Sequence, residues 1–313
     1  MGDTEKAIYS KTTISHRKDL TRSSRFGEFL IEKTIFSIGI TAILILGLIF
    51  YYLVSTGLNV FATVSISEFF TTTGWFPVSS NAKYGTVPLV VGSLMVTMGA
   101  ILISVPIGIG SAIYISEVAP AKARTVLKVI IEFLSAVPSV VLGFLGIVVL
   151  SNWVRITLSI PTGFTAFTGA ILVSLMALPT IISISDDAIA AVPKDYRDAS
   201  LALGATKWET IRYVLVPAAS SGITAAVMLG VGRAIGETMA VLMVTGNAAQ
   251  IPDTMFTSVR TMTATIAAEM GDTVRNDTHY FALFAIGSML LFMTTVINTI
   301  ADYVVTRGKK EGR

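Results

Sequence analysis

Long stretches without a charged residue set the pattern of this chain. No Asp, Glu, Lys or Arg occurs between Lys33 and Glu68, from Tyr84 to Ser116, from Phe133 to Val154, or from Ile156 to Ser185. Crossing a hydrocarbon core of about 30 Å takes about 20 apolar helical residues. Each run reaches that length, and burial inside one soluble domain does not produce four of them. The pattern predicts membrane helices over 33–56, 86–116, 127–151, 166–187, 216–245 and 280–305. The expected fold class is all-α integral membrane, with six transmembrane helices.

Composition agrees with the pattern. The chain has 313 residues, 53% hydrophobic and 14% charged, with a mean hydropathy of +0.73, whereas a soluble domain carries about 25% charged residues. There is no cysteine, which excludes disulfides and thiolate metal sites. The histidines, His16 and His279, fall in ends of opposite predicted sidedness, which excludes a histidine metal cluster. Residues 1–34 are polar and too long for the charged start of a secretory signal, and the apolar run 35–54 lacks an A-x-A-like cleavage site. That run is read as a retained first membrane helix.

Lysine and arginine set the orientation. Seven lie in 1–34, three in 117–128, four in 188–215 and four at the C-terminus, against four on the other side (Lys83, Arg155, Arg260 and Arg275). The asymmetry of eighteen to four predicts that both termini are cytoplasmic, as an even number of spans requires. Arg233 falls inside a helix.

Three of the predicted helices contain an interior proline: Pro106, Pro138 and Pro179. Each is read either as a kink that shapes a pore or as ordinary membrane-helix composition. In the fifth helix Gly222, Ala226 and Gly230, then Gly232 and Gly236, form a stripe of small residues that lets backbones approach. Gly230-Val-Gly232 is not a nucleotide loop, because the third glycine and a preceding strand are missing. No G-x-x-x-x-G-K-[ST] occurs, so this chain has no phosphate-cradling loop for ATP.

Segment 188–217 is the longest amphipathic stretch on the basic side. Pro193 suits a first helical turn. Val192, Tyr196, Ala199 and Leu203 then make one apolar face, with Lys194, Asp195, Arg197 and Asp198 largely off it. Gly204 comes where the pattern breaks, as a left-handed helix stop does. A second short helix runs from Thr206 to Val216 and meets Pro217. The result is a helix–glycine–helix at the cytoplasmic surface with a stripe available to a partner groove.

Asp198-Ala199, Gly204, Ile211 and Leu215-Val-Pro217 resemble the coupling loop of binding-protein-dependent ABC importers, often called the EAA loop, with aspartate in place of the usual glutamate. Runs similar to those of phosphate-importer permeases continue the resemblance over most of the chain beyond residue 70. They are Val105-Pro-Ile-Gly-Ile-Gly, Ala136-Val-Pro-Ser-Val-Val-Leu-Gly-Phe, Leu178-Pro-Thr-Ile and Gly232-Arg-Ala-Ile-Gly-Glu-Thr-Met-Ala-Val. Glu237-Thr-Met-Ala-Val, with Gly246-Asn later, looks like the PstC type rather than its PstA partner. The resemblance implies a type I ABC importer permease fold, and a coupling loop seated in a cleft of a separate ATPase.

Arg233 and Glu237 stand four residues apart in the fifth predicted helix, which would put them on one face within pairing reach. Arginine near a membrane helix centre costs roughly 2.5–3.5 kcal/mol, so lipid exposure is disfavoured. Two readings stay open from spacing alone: a relay for an anion, with Glu237 neutralising Arg233 between passages, or a permanent structural salt bridge. The resemblance implies the first. Asp186 and Asp187 are expected to be solvated, and residues 255–270 to form a partly amphipathic external helix carrying Glu269.

The expected organisation is a cytoplasmic tail over 1–32, a permease domain over 33–305 with its coupling loop at 188–217, and a second tail over 306–313. The resemblance implies a pore subunit moving inorganic phosphate into a prokaryotic cell by alternating access, with no active site of its own. It implies a second permease of PstA type, a cytoplasmic ATPase dimer that binds ATP and magnesium, an external phosphate-binding protein and membrane lipid, but no nucleic acid. Other readings are a permease for molybdate, sulfate or phosphonate, and an ion-coupled secondary transporter. The last would not need the Gly204 loop and should carry more membrane carboxylates than Glu237.

Overall fold

The computed structural model describes residues 22–311. His16 and the basic residues Lys6, Lys11, Arg17, Lys18 and Arg313 lie outside the described residues. Chain contacts divide the protein into Met1–Leu53 and Val54–Arg313. In the first unit the described residues belong to helix Arg22–Leu58, which starts before the expected boundary at 33. The apolar run fixes only the part of a helix that crosses the membrane, and its polar first turns continue the same hydrogen-bond ladder.

Among the described residues, five helices are long and apolar enough to cross a membrane: Phe29–Ala62, Val87–Val118, Ser139–Thr157, Ala166–Ala190 and Thr278–Ile300. A sixth span is counted if Lys207–Ala218 and Ser220–Gly236, bent by 70°, are taken together. The last helix continues to Glu311. Outside the helices, a hairpin pairs Trp75 with Tyr84 and Phe76 with Lys83 in antiparallel register.

The fourth span, Ala166–Ala190, is the most buried and packs along Val87–Ile113. Helix Ser220–Gly236 packs on it as well, through part of the predicted small-residue stripe. A Cβ on Gly222 would stand 2.4 Å from Ala188 Cβ, and one on Gly230 2.5 Å from Ile181 Cγ1, so both positions need glycine. Ala226 between them is fully buried. Gly232 and Gly236 face open space instead, so the stripe ends at Gly230.

Two expected helices are broken. Pro106 and Pro179 stay inside continuous helices, but Pro138 does not. The predicted span 127–151 divides at Val137 and Pro138, both extended. Helix Ala121–Ala136 precedes the break, and the third span, Ser139–Thr157, follows it. Proline disfavours the helical conformation of the residue before it and lacks the N–H the ladder needs, and at Pro138 that bias breaks the helix. The predicted helix 216–245 is likewise interrupted, between Gly236 and Met239.

Candidate functional site

On the predicted cytoplasmic side, helix Lys194–Ala202 begins after Pro193. Gly204 follows at φ +86, the left-handed conformation the sequence anticipates, with nothing within 4 Å of where a Cβ would stand. Backbone handedness, and not space, therefore asks for glycine there. Helix Lys207–Thr210 is opened by a reciprocal cap: Thr206 Oγ1 accepts from Glu209 N, and Glu209 Oε2 accepts from Thr206 N at 2.8 Å. The Thr206 N–H bond, and after it a bond of 2.7 Å donated by the Thr206 hydroxyl to the same Oε2, hold the Glu209 carboxyl below its ordinary value. A bond of 2.9 Å between the Ser200 and Thr210 hydroxyls, both buried, ties the two short helices into one piece.

The predicted coupling residues take two orientations. Asp198, Ala199 and Gly204 are exposed, and Leu203 is 89% exposed. Ala199 and Leu203, with Tyr196, Ala205 and Val214, border a shallow, largely apolar groove. Ile211 and Leu215 point inward and are almost fully buried, and exposed Pro217 stands near the 70° bend. The outer residues make a surface, and the inner ones anchor it.

Ion pairs missed by the sequence hold this region to the spans. Arg197, on Lys194–Ala202, donates to Glu117 at the predicted cytoplasmic end of the second span. Asp186, expected in solvent, is 2% exposed, with Lys128 at 2.5 Å and Arg124 at 3.6 Å. Both cations come from Ala121–Ala136, the helix freed by the Pro138 break, and its return to the fourth span is what buries Asp186. Asp187 is exposed.

Arg233 and Glu237 do not share a helix face. Helix Ser220–Gly236 stops one residue short, and Glu237 is extended at φ −65, ψ 129. Its Oε1 accepts from Ala240 N at 3.1 Å, capping the short helix Met239–Val244, and its carbonyl accepts from Thr263 Oγ1 at 2.9 Å. Free N–H groups at a new helix start attract such a carboxylate. The expected pair is therefore not formed, and no carboxylate among the described residues forms an ion pair with Arg233. Arg233 Nη1 lies 3.5 Å from Thr180 Oγ1, and the exposed guanidinium borders an open groove with Met228, Leu229, Thr295, Asn298 and Thr299.

On the opposite side, Glu269 gathers three donors: Trp75 Nε1 at 2.9 Å, Arg260 Nη1 at 2.6 Å and His279 Nε2 at 2.8 Å. The helix expected over 255–270 is confined to Met262–Glu269. Among the described residues no three His, Cys, Asp or Glu side chains gather to hold a metal ion.

The family model described as "binding-protein-dependent transport system inner membrane component" matches residues 104–310. The chain belongs to this family. The chain is similar to a probable ABC transporter permease protein, YqgH, of Bacillus subtilis, 43% identical over 246 residues, covering 79% of this chain and 80% of that protein. The phosphate transport system permease protein PstC of Mesorhizobium japonicum is 34% identical, covering 77% and 78%. A bacterial ABC transporter involved in import of the acidic polysaccharide alginate has a chain of similar fold, with a TM-score of 0.62 at 16% identity, covering 90% of this chain and 99% of that one. The type I importer permease fold read from the motifs is thus the fold found, in a multi-pass membrane protein. Within the family's matched region lie the 188–217 segment, Glu117, Asp186 and Arg233.

Proposed function

We infer that the chain is the membrane-spanning permease subunit of an ATP-driven importer, and that its cargo is inorganic phosphate. Membership of the importer family and the similarity to a phosphate permease support this reading. The observation that carries the choice of an anion is Arg233: a guanidinium in a membrane-spanning helix, without an ion-pair partner among the described residues, open to a groove with hydroxyl and amide groups on its opposite wall. Such a charge is costly against lipid. The groove therefore faces a water-filled path, completed by a second permease of PstA type.

In this reading Arg233 meets the phosphate oxygens, which its planar donors match in pairs. Glu237 serves translocation from the helix break, where its bond to Ala240 N fixes the turn that ends the arginine's helix. Asp198, Ala199 and Leu203 enter a cleft of the ATPase dimer, Gly204 turns the chain, and Ile211, Leu215 and Pro217 join that surface to helix Ser220–Gly236. ATP and magnesium belong to the ATPase. An external phosphate-binding protein delivers the anion, and both termini and segment 188–217 lie in the cytoplasm of a prokaryotic cell.

The test is reconstitution of the chain with its partner subunits and binding protein in liposomes. ATP-dependent accumulation of radiolabelled phosphate, unaffected by excess sulfate or molybdate, is expected. Accumulation of sulfate or molybdate in its place would reassign the cargo, and accumulation without ATP would contradict the importer reading.

A further inference from the structure

The docking segment must move the spans if ATP is to do work, and the structure offers few grips for that. Val192 and Val216 pack into the apolar cluster around Ile115, Ile189 and Ile223. Such contacts are non-directional and let helices slide. The Ser200–Thr210 bond is internal to the segment. Arg197 differs from these. It stands on the exposed helix Lys194–Ala202, yet its guanidinium turns inward to Glu117, whose side chain is only 6% exposed.

Glu117 ends a long lever. Val87–Val118 is one unbroken stretch of 32 residues, about 48 Å at 1.5 Å per residue. Its last turn, Tyr114–Val118, is wider than an α-turn, with Ala119 N reaching back to Tyr114 O at 2.8 Å. At its far end Ser93 Oγ accepts from Met262 N at 2.9 Å, and Gly92 lies so close to the Arg260 carbonyl that a Cβ would stand 2.4 Å away. Arg260 in turn holds Glu269, and Glu269 holds Trp75 and His279. A pull on Glu117 thus acts on one continuous helix whose opposite end grips the external cap.

We propose that the Arg197–Glu117 ion pair is the drive link through which the docking segment moves the second span, making Arg197 and Glu117 positioning residues for transport. The inference rests on segment 188–217 being the ATPase dock. A partly buried, charge-assisted bond is directional and resists being pulled apart in a way that apolar packing does not. Breaking it should leave a dock that holds the ATPase, and an ATPase that turns over without moving the span.

The experiment uses the complete transporter, with chain, second permease, ATPase and binding protein co-expressed, purified and reconstituted. Radiolabelled phosphate uptake, ATP hydrolysis and ATPase recovery are measured per complex. Arg197→Gln and Glu117→Gln should each lower phosphate moved per ATP hydrolysed on the order of tenfold, within the usual range of coupling energies, at unchanged ATPase recovery. The charge exchange Glu117→Arg with Arg197→Glu, and the conservative Arg197→Lys, should regain most of that ratio. A merely structural pair would change abundance and leave the ratio alone. An unchanged ratio in the single variants, a loss of ATPase recovery with Arg197→Gln, or an exchange variant no better than the singles would each overturn the proposal. If the unaltered chain retained no ATPase, the docking reading itself would fall, an outcome distinct from any of these.

Discussion

Lys128 Nζ lies 2.5 Å from Asp186 Oδ2, and this contact fastens the amphipathic helix Ala121–Ala136 to the C-terminal end of the fourth span. The two partners are unequal, since the lysine side chain is 40% exposed and the aspartate side chain 3%. Removing the lysine strands a buried carboxylate with only Arg124, 3.6 Å from its other oxygen. Lys128→Met should therefore destabilise by about 3–5 kcal/mol. Asp186→Asn leaves a lysine that can turn to water, and should cost only about 1.5–3 kcal/mol. Thermal unfolding of the purified subunit in detergent checks the order; equal losses would show that the burial difference is immaterial.

The positive φ of Gly204, with open space around it, separates backbone strain from steric clash. Left-handed backbone costs an L-residue about 1–2 kcal/mol, and asparagine tolerates it best. Gly204→Asn should retain ATPase co-purification, while Gly204→Val should weaken it at normal subunit level. Equal recovery with both would mean that the turn does not shape the dock.

Much of this was legible in the sequence, and the remainder has identifiable physical causes. Charge-free runs and basic asymmetry report the bilayer, a solvent that acts on every residue, so the spans could be read one by one. Gly204 was legible because its backbone demand is local. Pro138 was visible but ambiguous: the same residue type stays within a helix at Pro106 or Pro179 and ends one here, depending on how the flanking helices pack. The Arg233–Glu237 spacing suggested a pair only on the assumption of an unbroken helix, and Gly236, where the helix ends, reads in sequence equally as part of the small-residue packing stripe. Glu269 with Trp75, Arg260 and His279, and Asp186 with Lys128, join residues distant along the chain, and no spacing rule reaches them.

Acid should loosen the dock through Glu209. Its folded value is depressed by the Thr206 N–H and hydroxyl, so the cap's contribution is complete above the ordinary carboxylate value. It is lost as pH falls through the depressed one. ATPase binding to the purified permease should weaken over that interval, and in Glu209→Gln, where the amide does not titrate, that step should vanish. An identical pH profile in the variant would remove Glu209 from the docking surface's pH response.

Orientation has its own test. Single cysteines replacing Ser79 and Lys194, both exposed, should react differently with an impermeant thiol reagent in intact cells. Labelling at Ser79 and protection at Lys194 is expected from the eighteen-to-four basic asymmetry. The reverse would invert the topology and take segment 188–217 away from a cytoplasmic ATPase.

Anion transport turns on Arg233. No carboxylate among the described residues pairs with it, so replacing it strands no partner charge, and Arg233→Gln should assemble and bind ATPase at normal levels. Glu237→Gln keeps an oxygen for Ala240 N and should be milder than Glu237→Ala, which loses the helix cap at about 1 kcal/mol. Because the two side chains are not partners, the double variant should show no rescue. The deciding measurement is phosphate uptake normalised to membrane subunit level for Arg233→Gln. Uptake lost at full subunit level is the predicted result. Normal uptake would contradict a phosphate-contacting role and leave Arg233 a residue of the scaffold.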